Sequence, residues 1–145
     1  MSYREKSAWI CLLCIVGVQL PYFLHVAGLF AQGPVDVRVL MTPFIVATGS
    51  QALLTGAAHV LVARLSRCEP LDERDAAIAA AALRRGYAVM SVALFFALFG
   101  GFSLDRDLGA PALMQLVLGA WVLAEVVKYA SQAWDYRRSV FGVAA

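Results

Sequence analysis

Four long runs of apolar side chains, separated by short segments rich in glycine, proline and charge, constrain this chain more than any other feature. About 20 apolar residues is the length an α-helix needs to cross the ~30 Å hydrocarbon core of a bilayer. Within that core a helix satisfies its own backbone, which lipid cannot do. The expected fold is therefore all-α: an integral membrane four-helix bundle in one domain, with helices over residues 8–31, 43–65, 72–102 and 112–134.

Composition supports this reading. The chain is 61% hydrophobic and 15% charged, with a mean hydropathy of +0.73, against roughly 45–50% apolar and ~25% charged in soluble domains. Its 145 residues leave no room for a soluble catalytic domain beside four crossings. The net charge of +2 is small, and the basic residues flank apolar segments instead of forming a separate patch, which argues against a nucleic-acid partner. The run after Arg4 and Lys6 is longer than the 7–15 residues of a signal-peptide core and ends in no small-x-small cleavage site, so it reads as a retained first helix.

Local signals set the expected boundaries. Pro21 interrupts the first helix and predicts a modest kink near Tyr22. Residues 32–36 make a turn, and Thr42 before Pro43 suits an N-cap followed by proline at the first helical position. The charges of residues 66–75 cannot lie in hydrocarbon, and Asp72 suits the N-cap of the third helix. Arg84 and Arg85 are expected at the interface, so that about three turns of that helix project into the cytoplasm. Residues 103–111 form the second external loop, and Tyr136-Arg137-Arg138 belong to a tail without further structure.

Lys and Arg near helix ends set the orientation. Arg4, Lys6, Arg64, Arg67, Arg74, Arg84, Arg85, Lys128, Arg137 and Arg138 fall on one side, and Arg38 and Arg106 on the other. Both termini are thus expected in the cytoplasm. Trp9, Tyr87, Tyr129, Trp134 and Tyr136 cluster toward the same face, as an aromatic belt would.

The pattern Asp72-Glu73-Arg74-Asp75, then Arg85-Gly86-Tyr87, then Ala124-Glu125, Lys128, Gln132 and Tyr136-Arg137-Arg138 resembles small uncharacterised four-helix membrane proteins of bacteria. The resemblance covers mainly the third and fourth helices. It implies a bacterial inner membrane and the topology above, and it carries no activity.

Several residue groups could carry chemistry. Cys11-x-x-Cys14 has the spacing of thiol oxidoreductases, but both sulfurs fall in the cytoplasmic half, without the extracytoplasmic cysteine pair that such exchange requires. With Cys68 they are expected to be free thiols. His25 and His59 invite a haem or metal reading, yet their levels differ by roughly 15–20 Å at 1.5 Å per residue. No cofactor or metal is expected.

A third group lies in the inner leaflet. His59 and Glu125 sit roughly 6–9 Å inside the boundary, Lys128 follows Glu125 at i+3, and Arg84 or Arg85 can reach down from the interface. Glu125 is expected to pair with Lys128 and an arginine, near His59. Such a cluster is either structural glue or a proton-titratable or anion-holding site. Fourth, Gln51, Thr55 and His59 form a polar stripe on the second helix, with Gln19 level with Gln51 on the first. That stripe reads as interhelical hydrogen bonding or as a water-lined path.

The leading functional expectation is a non-enzymatic inner-membrane protein acting through protein partners at its cytoplasmic face, as a small sensor or regulator. A small oligomeric transporter or channel subunit built on the Glu125, Lys128 and His59 cluster is the alternative. A membrane oxidoreductase comes third.

Overall fold

A computed structural model describes residues 3–65, 72–103 and 109–140. They form four α-helices: α1 (Tyr3–Gln32), α2 (Val37–Leu65), α3 (Glu73–Ser103) and α4 (Ala110–Val140). Each is long and apolar enough to cross a membrane. Exposed leucine, valine and phenylalanine side chains cover their outer faces, as hydrocarbon requires.

The helices pack in the order α2, α1, α4, α3, each antiparallel to the next in sequence. α3 lies along α4, α1 packs against both α2 and α4, and α2 touches α4 only sparsely. α2 is thus held along one flank. The end of the bundle where α1 starts and α4 finishes is rich in arginine and is called the basic end below; the opposite end is the far end.

A small core at the far end joins α1 to α2. Leu40 is fully buried there with Tyr22, Val26 and Ala47. The Tyr22 ring meets Phe23 and Phe44 edge-on, with centroids 5.2 and 6.4 Å away. Such edge contacts suit the ring quadrupoles.

The helix ends differ from the sequence expectation in three places, each for a local reason. α2 starts at Val37 instead of Pro43, because Asp36 caps it: its Oδ1 accepts from the Arg38 N–H at 2.8 Å, and its carbonyl accepts from Val39 N–H at 3.1 Å. Pro43 lies inside the helix. The turn shrinks accordingly, and Gly33 supplies its left-handed backbone at φ 141°. α1 begins at Tyr3, so Arg4, Glu5 and Lys6 are helical, and it runs unbroken through Pro21. α4 extends through Tyr136-Arg137-Arg138 to Val140, where a tail was expected. At α3 the Asp72 carbonyl accepts from Ala76 N–H at 3.2 Å, which puts Asp72 at the cap.

Ion pairs clasp the basic end. Arg4 Nε is 3.0 Å from Asp75 Oδ2, joining α1 to α3, and Arg137 Nε is 3.7 Å from Glu5 Oε1, joining α4 to α1. Arg137 also stacks over Trp9, with 5.1 Å from its guanidinium carbon to the ring centroid. Since Asp75 meets Arg4, the first turns of α3 do not project alone: α1 and α4 accompany them. Tyr87 and Trp134 are exposed, whereas Tyr136 turns inward and is buried.

Hydroxyls on the helices bond back to their own backbone. Thr48, Ser50, Ser91 and Ser131 each donate to a carbonyl three or four residues earlier, at 2.8–3.0 Å. That arrangement satisfies a hydroxyl where water is missing.

Candidate functional site

The sparse contact between α2 and α4 leaves a half-open cavity of about 420 Å³, floored by α1. Its walls carry an unusual share of polar groups for membrane depth: Cys11 and Gln19 from α1, Thr48, Gln51, Thr55 and His59 from α2, and Glu125 and Tyr129 from α4. Ile15, Ala52, Leu118, Trp121 and Val122 supply the apolar remainder, and Gly56 opens the α2 wall.

His59 marks the end nearer the start of α1. Its Nδ1 is 2.8 Å from the Thr55 carbonyl, one turn back on its own helix. A carbonyl only accepts, so Nδ1 carries the proton. In the neutral ring Nε2 then accepts from the Ser7 hydroxyl, at 2.8 Å. The Cys11 thiol lies 3.8 Å from the same nitrogen, and Tyr129 lines the cavity across from it on α4. Ser7, His59 and Cys11 therefore form a connected polar group across α1 and α2, with Tyr129 facing the same cavity from α4.

Toward the far end, Gln19 Nε2 donates to Gln51 Oε1 at 2.5 Å, so the two glutamines expected at one level meet across α1 and α2. Cys11 and Gln19, the two polar α1 residues of the lining, are eight residues apart, which gives the α1 floor of the cleft a polar length of about 12 Å. Thr55 lies between the two bonded pairs and faces the cavity.

Glu125 and Lys128 are paired on α4, with Nζ 2.5 Å from Oε2. Lys128 also lies over the Tyr129 ring, 4.3 Å from its centroid. Glu125 faces the α1/α2 cleft and also a smaller recess against α3, with Lys128 on the recess side. The carboxylate can thus present charge to the cleft while its ammonium partner sits outside.

The arginines expected at this cluster go elsewhere. Arg85 Nη1 pairs with Asp135 Oδ2, and Arg84 is exposed. The reason is angular: α3 packs on the face of α4 away from the cleft, so its arginines reach α4 residues that point the same way. Of the two histidines only His59 enters the site; His25 faces outward. Cys11 lines the cavity as a buried free thiol, Cys14 is a half-buried free thiol, and Cys68 falls outside the described residues. Among the described residues no three His, Cys, Asp or Glu side chains group to hold a metal ion.

Sequence reasoning missed Ser7, Tyr129, Trp121 and Asp135. Ser7 had a legible signal, since depth counting from the basic end puts it level with His59. Tyr129 was assigned to an interfacial belt, where tyrosine is common. No protein-family model matches the chain, and neither does any curated protein or solved structure, so a functional reading rests on this geometry.

Proposed function

We propose that this chain is a non-enzymatic, multi-pass inner-membrane protein of a bacterium, a small sensor or regulator. It binds an amphipathic small molecule in the cleft between α2 and α4 and passes its occupancy to a protein partner at the cytoplasmic face. Both termini are cytoplasmic in this reading, on the Lys and Arg count. The observation that carries it is the cleft itself. Polar side chains at membrane depth are costly against lipid, and these line one concave, mainly apolar space within the size range of ligand pockets. α2, held along one flank, is the element whose position an occupant would bias.

Gly56 gives the test. A Cβ built there meets no atom within 4 Å, and Gly56 lines the cleft, so tryptophan at this position is the substitution expected to fill it. Native mass spectrometry of protein purified in mild detergent should find one discrete small molecule on the wild type and none on Gly56→Trp, with similar melting temperatures. Identical bound species on both, or no bound species on either, would count against the reading.

A transporter or channel subunit remains the second reading, favoured by the polar stripe from Gln51 to His59 along one wall. Proton or solute flux in liposomes holding this protein alone separates the two, because the sensor reading expects none.

A further inference from the structure

Glu125 is the middle residue of α4, which is 31 residues and about 46 Å long, so a hydrocarbon core of ~30 Å laid anywhere along the helix includes it. A charge at that depth needs partners, and its attraction for an opposite charge there exceeds the value in water several-fold.

The carboxylate has room for one more partner. Lys128 Nζ meets Oε2 at 2.5 Å, and Oε1 has no hydrogen-bond partner among the described residues. The Glu125 side chain is 30% exposed and lines the cleft. Other polar groups of the cleft are engaged: His59 bonds at both ring nitrogens, Gln19 bonds to Gln51, and the Thr48 hydroxyl bonds to its own backbone. Among the described lining residues Glu125 alone carries a formal charge, because Lys128 is on the recess side.

Lys128 itself shows what this carboxylate accepts. Its ammonium lies at once on Oε2 and 4.3 Å from the centroid of the Tyr129 ring. Tyr129 and Trp121 both line the cleft, and aromatic faces attract cations. An ammonium entering from the cleft side therefore meets the free oxygen and rings of the same kind. An anion meets the carboxylate with no cation in the lining to offset it, and a neutral head leaves the charge unused.

We infer that the cleft selects an amphipathic amine, whose ammonium is held by Glu125 Oε1 beside Trp121 and Tyr129 and whose apolar body fills the space along Ile15, Leu118 and Val122. The inference rests on the ligand-binding reading of the cleft and names the class of ligand.

Dodecylamine, dodecanol and dodecanoate share a chain and differ in the charge of the head. In native mass spectrometry from an uncharged detergent, the wild type should bind dodecylamine about tenfold more tightly than dodecanol and should not prefer dodecanoate. Glu125→Gln should bind amine and alcohol equally, while Asp135→Asn, which removes a carboxylate outside the cleft, should keep the preference. Lys128→Met removes the internal competitor for the carboxylate, so its affinity for dodecylamine should rise several-fold. If Glu125→Gln does not fold, Lys128→Met decides: unchanged or weaker amine binding would overturn the inference. Equal binding of amine and alcohol by the wild type, both lost in Gly56→Trp, would leave the cleft a ligand site and overturn only the amine. An amine preference that persists in Glu125→Gln, or a preference for dodecanoate, would overturn it as well. Binding of all three probes that Gly56→Trp does not change would count against the cleft itself.

Discussion

Arg85 of α3 closes on Asp135 of α4, with Nη1 2.5 Å from Oδ2, almost three turns nearer the basic end than Glu125. That choice of partner leaves Glu125 to Lys128 and frees the cleft side of α4 from arginine. Both side chains of the Arg85 pair keep some exposure, so the pair is worth about 0.5–1 kcal/mol. A double-mutant cycle of Arg85→Gln and Asp135→Asn, read by unfolding in detergent, should return that coupling. The same cycle between Arg85→Gln and Glu125→Gln should return none.

The close approach of α3 to α4 depends on Gly86. A Cβ there would lie 3.1 Å from both the Ala124 carbonyl oxygen and the Lys128 Cβ. Gly86→Ala should therefore cost about 1–3 kcal/mol through overpacking. Gly49→Ala meets open space and should be neutral or stabilising by up to about 1 kcal/mol, the helix preference of alanine over glycine. Paired melting curves of the two variants check the contrast.

His59 uses both ring nitrogens, one toward Thr55 and one toward Ser7. Glutamine can replace one of these bonds but not both in the same geometry. His59→Gln should lose about 1 kcal/mol, and Ser7→Ala added to it should cost less than it does in the wild type. Equal cost of Ser7→Ala in both backgrounds would mean that the two side chains do not interact.

Orientation has a direct readout. With the native cysteines replaced, Arg138→Cys should resist a membrane-impermeant maleimide added to intact cells, and Gln32→Cys should react. The reverse pattern would invert the topology and put the polar cleft in the opposite leaflet.

The helices were legible because hydropathy over about 20 residues depends on composition alone. Their ends were less so: Thr42-Pro43 is a sound start signal, yet Asp36 caps earlier, and the apolar residues between extend the helix. Depth could also be counted, which brought Gln19 level with Gln51 and Glu125 near His59. Angle around the helix could not. Every helix is apolar on most sides, so no stripe marks which face of α4 meets α3, and an arginine, Arg84 or Arg85, was expected at Glu125 where Arg85 instead meets Asp135. The cleft follows from the order α2, α1, α4, α3, which no single segment encodes.

Photocrosslinking from the cleft wall tests the central proposal most directly. A diazirine-bearing side chain no larger than leucine, placed at Ala52 inside the cleft, is compared with the same group at Leu53, which is 76% exposed on the lipid face. Irradiated in native membranes and weighed intact, the Ala52 protein should carry one discrete adduct mass, while the Leu53 protein should carry the spread of bulk phospholipid masses. The same phospholipid spread at both positions would contradict a ligand-binding cleft.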